Sequence, residues 1–481
     1  MKRFARLPAF SALILVLIVS TLYWASSPLP AAQKETGDTS KPKYVFFFLV
    51  DGGGNQHLEM TRQYNRIIHN EGLTIVDKIM RQGTMGLVTT HAANALSTDS
   101  AAAATALAGG CKANIGALGM CADGTVPKTV MEIAQDQGMR IGLVTNSTVY
   151  DASPAAFACH IQNRRDYASI VDRYLELGPD LLLGGGKDQF LPQGERGSRR
   201  RDNLDMIAAF KKKGYSYAGN KEELEVAKDK KLLGLFAFQD MSFEIDRDSK
   251  TEPSVYDMTR AAIRLLHAGD SPGFFLFIET ENIDSAGHLS DVASVIRDFR
   301  EFDRAVALAF EFYQRYPRET LILVTSDHET GGLGFTMALK NLGAARRKNQ
   351  IAATEEDFRK IHSIPISLRK ASKILGPYPT AAAIDELMSQ YFSGFTLAPD
   401  IKEAMLKRQL LSRSHYLDVN ANALGLMVAN NTQAYWETTS HTNQPVFVAA
   451  IGPGSERFRG YQDNVDLGRN LRAMLKGKIT P

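Results

Sequence analysis

Three short, nearly uninterrupted apolar runs in this chain each stop on a carboxylate or a histidine. Tyr44 to Val50 (YVFFFLV) ends in Asp51-Gly52-Gly53-Gly54, and Leu321 to Thr325 (LILVT) ends in Ser326-Asp327-His328. The third opens at Phe274 as FFLFIETENIDSAGHLS and carries Glu279, Asp284 and His288. Runs this short are strands rather than helices, and apolar content without alternation marks strands buried on both faces, as in a parallel sheet covered by helices. In such sheets ligands gather outside the carboxyl ends of the strands, so Asp51, Glu279 and Asp327-His328 point to one shared site. Taken singly, each aspartate is better read as a turn former or helix cap; their coincidence at three strand ends favours ligation. Asp284 and His288 stand one helical turn apart and can grip the same ion, while Glu279, nearer the strand, can hold a different one.

A candidate nucleophile stands in LSTDSAAAATA, from Leu96 to Ala106. The alanine run predicts a helix capped by Thr98 or Asp99, with Ser100 in the first turn, where free N–H groups and the positive dipole end favour an anion. A serine in that place commonly does no more than cap. No G-x-S-x-G elbow surrounds it, so activation by a metal ion replaces a histidine base as the expected chemistry. Between Gly142 and Arg164, Asp151 and Ser153 are hard oxygen donors suited to magnesium, directly or through water. Arg164, predicted on the helix after Pro154, offers a planar fork for two phosphate oxygens, although alone it reads as a surface salt bridge. His160 is read as structural. His441, in TTSHTNQ before a strand from Pro445 to Ile451, reads alone as a loop histidine, yet supplies the third protein ligand that Asp284 and His288 lack.

The 481 residues, 44% hydrophobic and 23% charged, have the usage of a large globular enzyme. A net charge of +3 gives no argument for nucleic acid binding, and Arg196 to Arg201 (RGSRRR) reads as an exposed loop. Lys187 follows a glycine run but lacks the spacing of a P-loop. Leu339 to Ala429 is charged, helix-rich and without metal motifs, as expected of an insertion over the active site or at a dimer interface. At the N-terminus, Lys2, Arg3 and Arg6 precede an apolar stretch from Leu7 to Trp24, broken by Ser26, Pro28 and Pro30, the pattern of an export signal. No clean A-x-A cleavage site follows, and the stretch approaches the roughly 18 residues that span a bilayer. Residues 1–32 are therefore read as a signal peptide or a membrane anchor, and 33–481 as the remaining domain. In an oxidising compartment Cys111 and Cys121 can close a small loop and leave Cys159 odd; their spacing leaves bonded and free states both open.

In order, spacing and residue type these segments resemble the alkaline phosphatases: DG after the first apolar strand, TDSAAAATA, DASPAA followed by NR, E-x4-D-x3-H, TSDH and SHT, spread over residues 44 to 460. The resemblance implies a doubly wound, mostly parallel α/β sheet with helices on both faces, usually in a homodimer. It also implies two zinc ions and one magnesium ion, and hydrolysis of small phosphate monoesters through a phosphoserine. By position, Asp284, His288 and His441 look like one zinc site and Asp51, Asp327 and His328 like the other. Asp51 would bridge to magnesium, held also by Ser153 and Glu279 with Asp151 behind. Ser100 matches the nucleophile and Arg164 the phosphate clamp. Together with the leader, the resemblance implies a periplasmic enzyme, soluble or tethered by residues 7–24. A phosphodiesterase of the same superfamily is the alternative, though it typically has a threonine nucleophile and no counterpart of Arg164. A sulfatase would need C/S-x-P-x-R, absent around Ser100. Two positions depart from the family: Ser285 stands where a lysine often follows the zinc-site aspartate, and Thr330 where a histidine is frequent. Altered phosphate affinity and pH optimum and a weaker third metal site are expected.

Overall fold

The apolar runs are strands, and they lie side by side. The computed structural model describes residues 41–269, 272–339, 350–409 and 418–477; the leader predicted over residues 1–32 falls outside these. Ten strands form one sheet: β1 (Tyr44–Val50), β2 (Thr84–Thr89), β3 (Arg140–Thr148), β4 (Leu181–Gly185), β5 (Ser216–Ala218), β6 (Leu232–Leu235), β7 (Phe274–Thr280), β8 (Thr320–Thr325), β9 (Val446–Ile451) and β10 (Gly460–Asp463). Their order is β10-β2-β9-β8-β1-β7-β3-β4-β6-β5. Every neighbouring pair is parallel except those of β9, which runs antiparallel to both β8 and β2.

The lack of alternation in β1 has a direct cause. Phe46, Phe48 and Val50 enter the core on one face of the sheet, and Val45, Phe47 and Leu49 enter it on the other. Each side chain so buried contributes about 1.5–3 kcal/mol. One layer is built on the long helix Val292–Arg315 and on Val255–Leu266; the other on Ser100–Gly109, Val130–Asp136, Ala152–Ala158 and Asn464–Leu475. The sheet is doubly wound, as predicted.

Register brings the strand ends level: Leu49 of β1 pairs with Glu279 of β7 on one side and with Thr325 of β8 on the other. Asp51, Glu279 and Asp327 therefore surface at one edge. The helix-rich region expected between Leu339 and Ala429 is present as Glu355–Ser363, Leu368–Leu375, Ala381–Tyr391, Pro399–Lys407 and Val419–Thr432, with 340–349 and 410–417 outside the described residues. It touches the site, since the Asn422 side-chain amide donates to the His288 carbonyl at 3.1 Å. Among the described residues no helix is long and apolar enough to cross a membrane. Cys111 and Cys121 are disulfide-bonded, and Cys159 is a buried thiol.

Two sequence expectations are corrected. Arg164 is not on the helix after Pro154: that helix stops at Ala158, where Cys159 turns extended, and Arg164 sits in the turn that follows. The arginine run is not uniformly exposed either, because Arg200 is buried among Asp172, Asp202 and the Gln189 carbonyl.

Candidate active site

The loop after β1 is shaped by what must pass beside it. Gly52 has φ +70°, and a Cβ there would lie 2.6 Å from the Asp284 Cα, so only glycine lets the two segments meet. Its N–H donates to Asp327 Oδ1 at 3.3 Å, and the Gly53 N–H donates to Ser326 Oγ at 3.1 Å, joining the ends of β1 and β8. Beyond β7 a two-turn helix, Asn282–His288, displays Asp284 and His288 on one face. His441 arrives from the far end of the chain through a two-residue antiparallel bridge in which it faces Thr330.

The imidazoles share one orientation. His288 Nδ1 lies 2.7 Å from the Thr439 carbonyl and His441 Nδ1 lies 2.8 Å from the Thr98 carbonyl; both acceptors require a protonated Nδ1. His328 Nδ1 lies 3.3 Å from the Thr330 hydroxyl, which itself donates to Asp284 Oδ1. Each Nε2 lone pair is thereby turned inward, the arrangement that metal-binding histidines have when their other nitrogen is held. Two groups have ligand atoms all within 4.8 Å of one another: Asp51, Asp327 and His328, and Asp284, His328 and His441. The first is the trio expected from sequence. In the second, His328 stands where His288 was expected, but His288 Nε2 is 3.1 Å from Asp284 Oδ2 and 3.2 Å from His441 Nε2, so the ligand set is continuous.

Three observations suit a cation here. Asp51 Oδ1, Asp327 Oδ2 and Glu279 Oε1 are buried without a hydrogen-bond partner. Two imidazole nitrogens face each other at 3.2 Å, favourable only with a positive charge at hand. The protein's own groups also crowd like charges. Burial, then Asp327, Asp284 and Glu279, push Asp51 well above the carboxylate range, and burial with Asp284 pushes Asp327 up to about 8. Burial and His441 hold His328 well below its ordinary value. Burial opposes protonation of His288, but Asp284 prevails and raises it to about 9. Divalent ions among these groups would relieve both the repulsion and the missing hydrogen bonds.

Ser100 opens the helix Ser100–Gly109, and its Oγ is 3.3 Å from His328 Nε2. Asp99 caps that helix by accepting from the Ala102 N–H at 3.0 Å and also accepts from Arg164 Nη1 at 3.1 Å. Arg164 Nη2 reaches Asp151 Oδ1 at 3.2 Å. Burial opposes the charge on Arg164, but Asp151 and Asp99 outweigh it, and the guanidinium stays charged. Asp151 begins the helix Ala152–Ala158, yet its side chain makes no cap bond. The Ser153 hydroxyl donates to Asp51 Oδ2 at 3.3 Å, and the Thr145 hydroxyl donates to Glu279 Oε2 at 2.6 Å. Ser100, Arg164, Asp51, Asp151 and Asp284 line one cavity of about 270 Å³.

Sequence reasoning missed several neighbours. Asp99 caps its helix, as the sequence predicts, and also aims Arg164. Glu281 lines the cavity and accepts from the Ser285 hydroxyl at 2.7 Å; its two-residue spacing from Glu279 was a usable signal, since alternate positions leaving a strand face the same way. Asp240, Tyr150 and Tyr167 line it with no signal in the linear chain. His160 is structural as predicted, between the Gly119 carbonyl at 2.7 Å and Glu132 at 3.0 Å.

The alkaline phosphatase family profile matches residues 42–477. The chain belongs to the alkaline phosphatase family. It is 32% identical to alkaline phosphatase 3 of Bacillus subtilis, over all of this chain and 99% of that one. It is 31% identical to the repressible alkaline phosphatase of Saccharomyces cerevisiae, over 96% of this chain and 85% of that one. Among solved structures, the alkaline phosphatase of Thermus thermophilus superposes with a TM-score of 0.81 at 28% identity, covering 94% of this chain and 96% of that one. As an alkaline phosphatase family member the protein is a metal-dependent hydrolase of phosphate esters, and its clustered carboxylates and histidines are candidate metal-binding groups.

Proposed function

We propose that the protein hydrolyses phosphate monoesters to alcohol and inorganic phosphate through a phosphoserine on Ser100. The observation that carries this is Ser100 Oγ at a helix N-terminus, 3.3 Å from His328 Nε2, in one cavity with Arg164. Asp284, His288 and His441 would hold one zinc ion and Asp51, Asp327 and His328 a second. Asp51, Ser153 and Glu279 would hold magnesium, with Asp151 behind them. Such ions, when bound, supply Lewis acidity that lowers the pKa of a hydroxyl or water and neutralises charge on a leaving oxygen.

The chain's own groups do the rest. Ser100 Oγ gives its proton to solvent in the cavity and attacks phosphorus, the new P–O bond forming as the ester P–O bond breaks in line, and the departing oxygen takes a proton from solvent to leave as the alcohol. Arg164, aimed by Asp99 and Asp151, holds two non-bridging oxygens in its planar fork. The positive end of the Ser100 helix favours the same dianion. Water then attacks the phosphoserine from the opposite side and returns Ser100 with inorganic phosphate.

The proposal extends to location and assembly. The basic N-terminus and the apolar stretch from Leu7 to Trp24 support export to the periplasm, soluble or tethered, and the family supports a homodimer. The test compares p-nitrophenyl phosphate with bis-p-nitrophenyl phosphate at alkaline pH, beside Ser100→Ala. The monoester is expected to be preferred by orders of magnitude, and the variant to lose turnover by at least about 10³-fold while still binding zinc and phosphate. A preference for the diester, or an active Ser100→Ala protein, refutes the reading.

A further inference from the structure

A second arginine reaches the same cavity from a loop that the chemistry above does not use. The run Arg196 to Arg201 is basic in sequence, but the fold treats its members differently. Arg200 is 4% exposed and forks onto Asp202 with two bonds of 2.8 Å while reaching Asp172 at 3.2 Å. That buried anchor pins the backbone, and the Arg199 N–H donates to the Asp188 carbonyl at 2.9 Å. Arg199 is thus presented on the cavity wall opposite no partner of its own run, 63% exposed, in the space lined by Ser100 and Arg164.

The guanidinium is oriented rather than loose. Its Nε lies 3.6 Å from Asp188 Oδ2, a carboxylate 1% exposed that also accepts from the Tyr150 hydroxyl at 2.6 Å. With its amide oxygen turned toward the arginine, Gln239 accepts from Nη1 at 2.7 Å and Nη2 at 3.0 Å. A guanidinium carries five N–H donors, so these neighbours leave donors for a ligand. Arg164 and Arg199 are the two cations lining this cavity among the described residues. Arg164 is held by Asp99 and Asp151 where the transferred phosphate belongs. The acids nearby have neighbours of their own: Asp240 accepts from the Ser147 hydroxyl and Glu281 from the Ser285 hydroxyl.

We infer that Arg199 is a specificity-determining residue that binds a second anionic group, phosphate or carboxylate, carried by the leaving alcohol. Compact, doubly anionic monoesters are then the favoured substrates, in keeping with a cavity of about 270 Å³. The inference rests on the phosphomonoesterase reading.

The experiment measures kcat/KM for propanediol bisphosphate, phosphoglycerate, glycerol phosphate and p-nitrophenyl phosphate with wild type, Arg199→Gln and Arg199→Lys, all metal-loaded. The Gln variant is expected to lower the ratio of the bisphosphate or the phosphoglycerate to p-nitrophenyl phosphate by about 10- to 100-fold. The loss should fall on KM, Lys should restore part of it, and added salt should erode the wild-type preference. Whichever dianionic ester loses more identifies phosphate or carboxylate as the preferred second group. An unchanged ratio, or a loss carried by kcat for every ester alike, overturns the inference. Wild-type protein inert toward p-nitrophenyl phosphate would instead overturn the phosphomonoesterase reading beneath it.

Discussion

Replacing Thr330 by valine removes a single hydroxyl from a fully buried position. That hydroxyl donates to Asp284 Oδ1 and lies 3.3 Å from His328 Nδ1, so it can accept from the imidazole while donating to the carboxylate. Valine leaves both groups without this partner. Each orphaned buried group costs about 1–3 kcal/mol. Partners of this kind behind metal-binding histidines are worth about 10- to 100-fold in metal affinity, or roughly 1.4–2.7 kcal/mol. Zinc affinity, measured by competition with a chromophoric chelator, is therefore expected to fall by about 10- to 100-fold in Thr330→Val. Thr330→Ser, which keeps the hydroxyl, should stay near wild type. After EDTA treatment the Val variant should still melt below wild type, because His328 remains buried and neutral with its Nδ1–H unaccepted. Zinc affinity within about twofold of wild type would refute the idea that Thr330 orients His328.

Two further outcomes follow from other parts of the fold. Gly52→Ala must place a Cβ 2.6 Å from the Asp284 Cα at φ +70°, so a soluble variant is expected to lose metal binding even though it alters no candidate ligand, and a metal content equal to wild type would contradict this account of the loop. The His160–Glu132 pair sets a pH window. The hydrogen bond to Glu132 raises the His160 pKa above its ordinary 6.5, so its stabilisation is full below about 6.5 and is lost as pH rises through the raised value. Glu132 is held below its ordinary 4.5, against burial, by His160 and the Thr129 backbone, so its share is full above about 4.5 and lost as pH falls through the lowered value. His160→Asn should therefore cost most, about 1 kcal/mol, between those limits and little at pH 9, as thermal melts at several pH values would report; a cost independent of pH would show that the pair is not ionised.

Much of the architecture was legible because it rests on nearest neighbours along the chain. An apolar run buried on both faces declares a parallel strand, and an acid at its end declares a strand end; in this way Asp51, Glu279, Asp327 and His328 were found without a fold. The four-residue spacing of Asp284 and His288 and the cap before Ser100 are local in the same sense. The arrangement of the site is not local. His441 Nδ1 meets the carbonyl of Thr98, 343 residues away, and only the bridge beside Thr330 decides which imidazoles it joins. Asp151 sits where a cap belongs but turns its carboxylate to Arg164, because a half-buried guanidinium gains more from that charge than a short helix gains from a cap. Arg199 and Arg200, adjacent and chemically identical, part company, one into an ion-paired interior and the other onto the cavity wall. Residue chemistry and short-range periodicity told which side chains were available and on which elements they stood. Their partners, burial and tautomers came from packing between distant segments, since a low-dielectric interior allows a charge only where the fold supplies its complement.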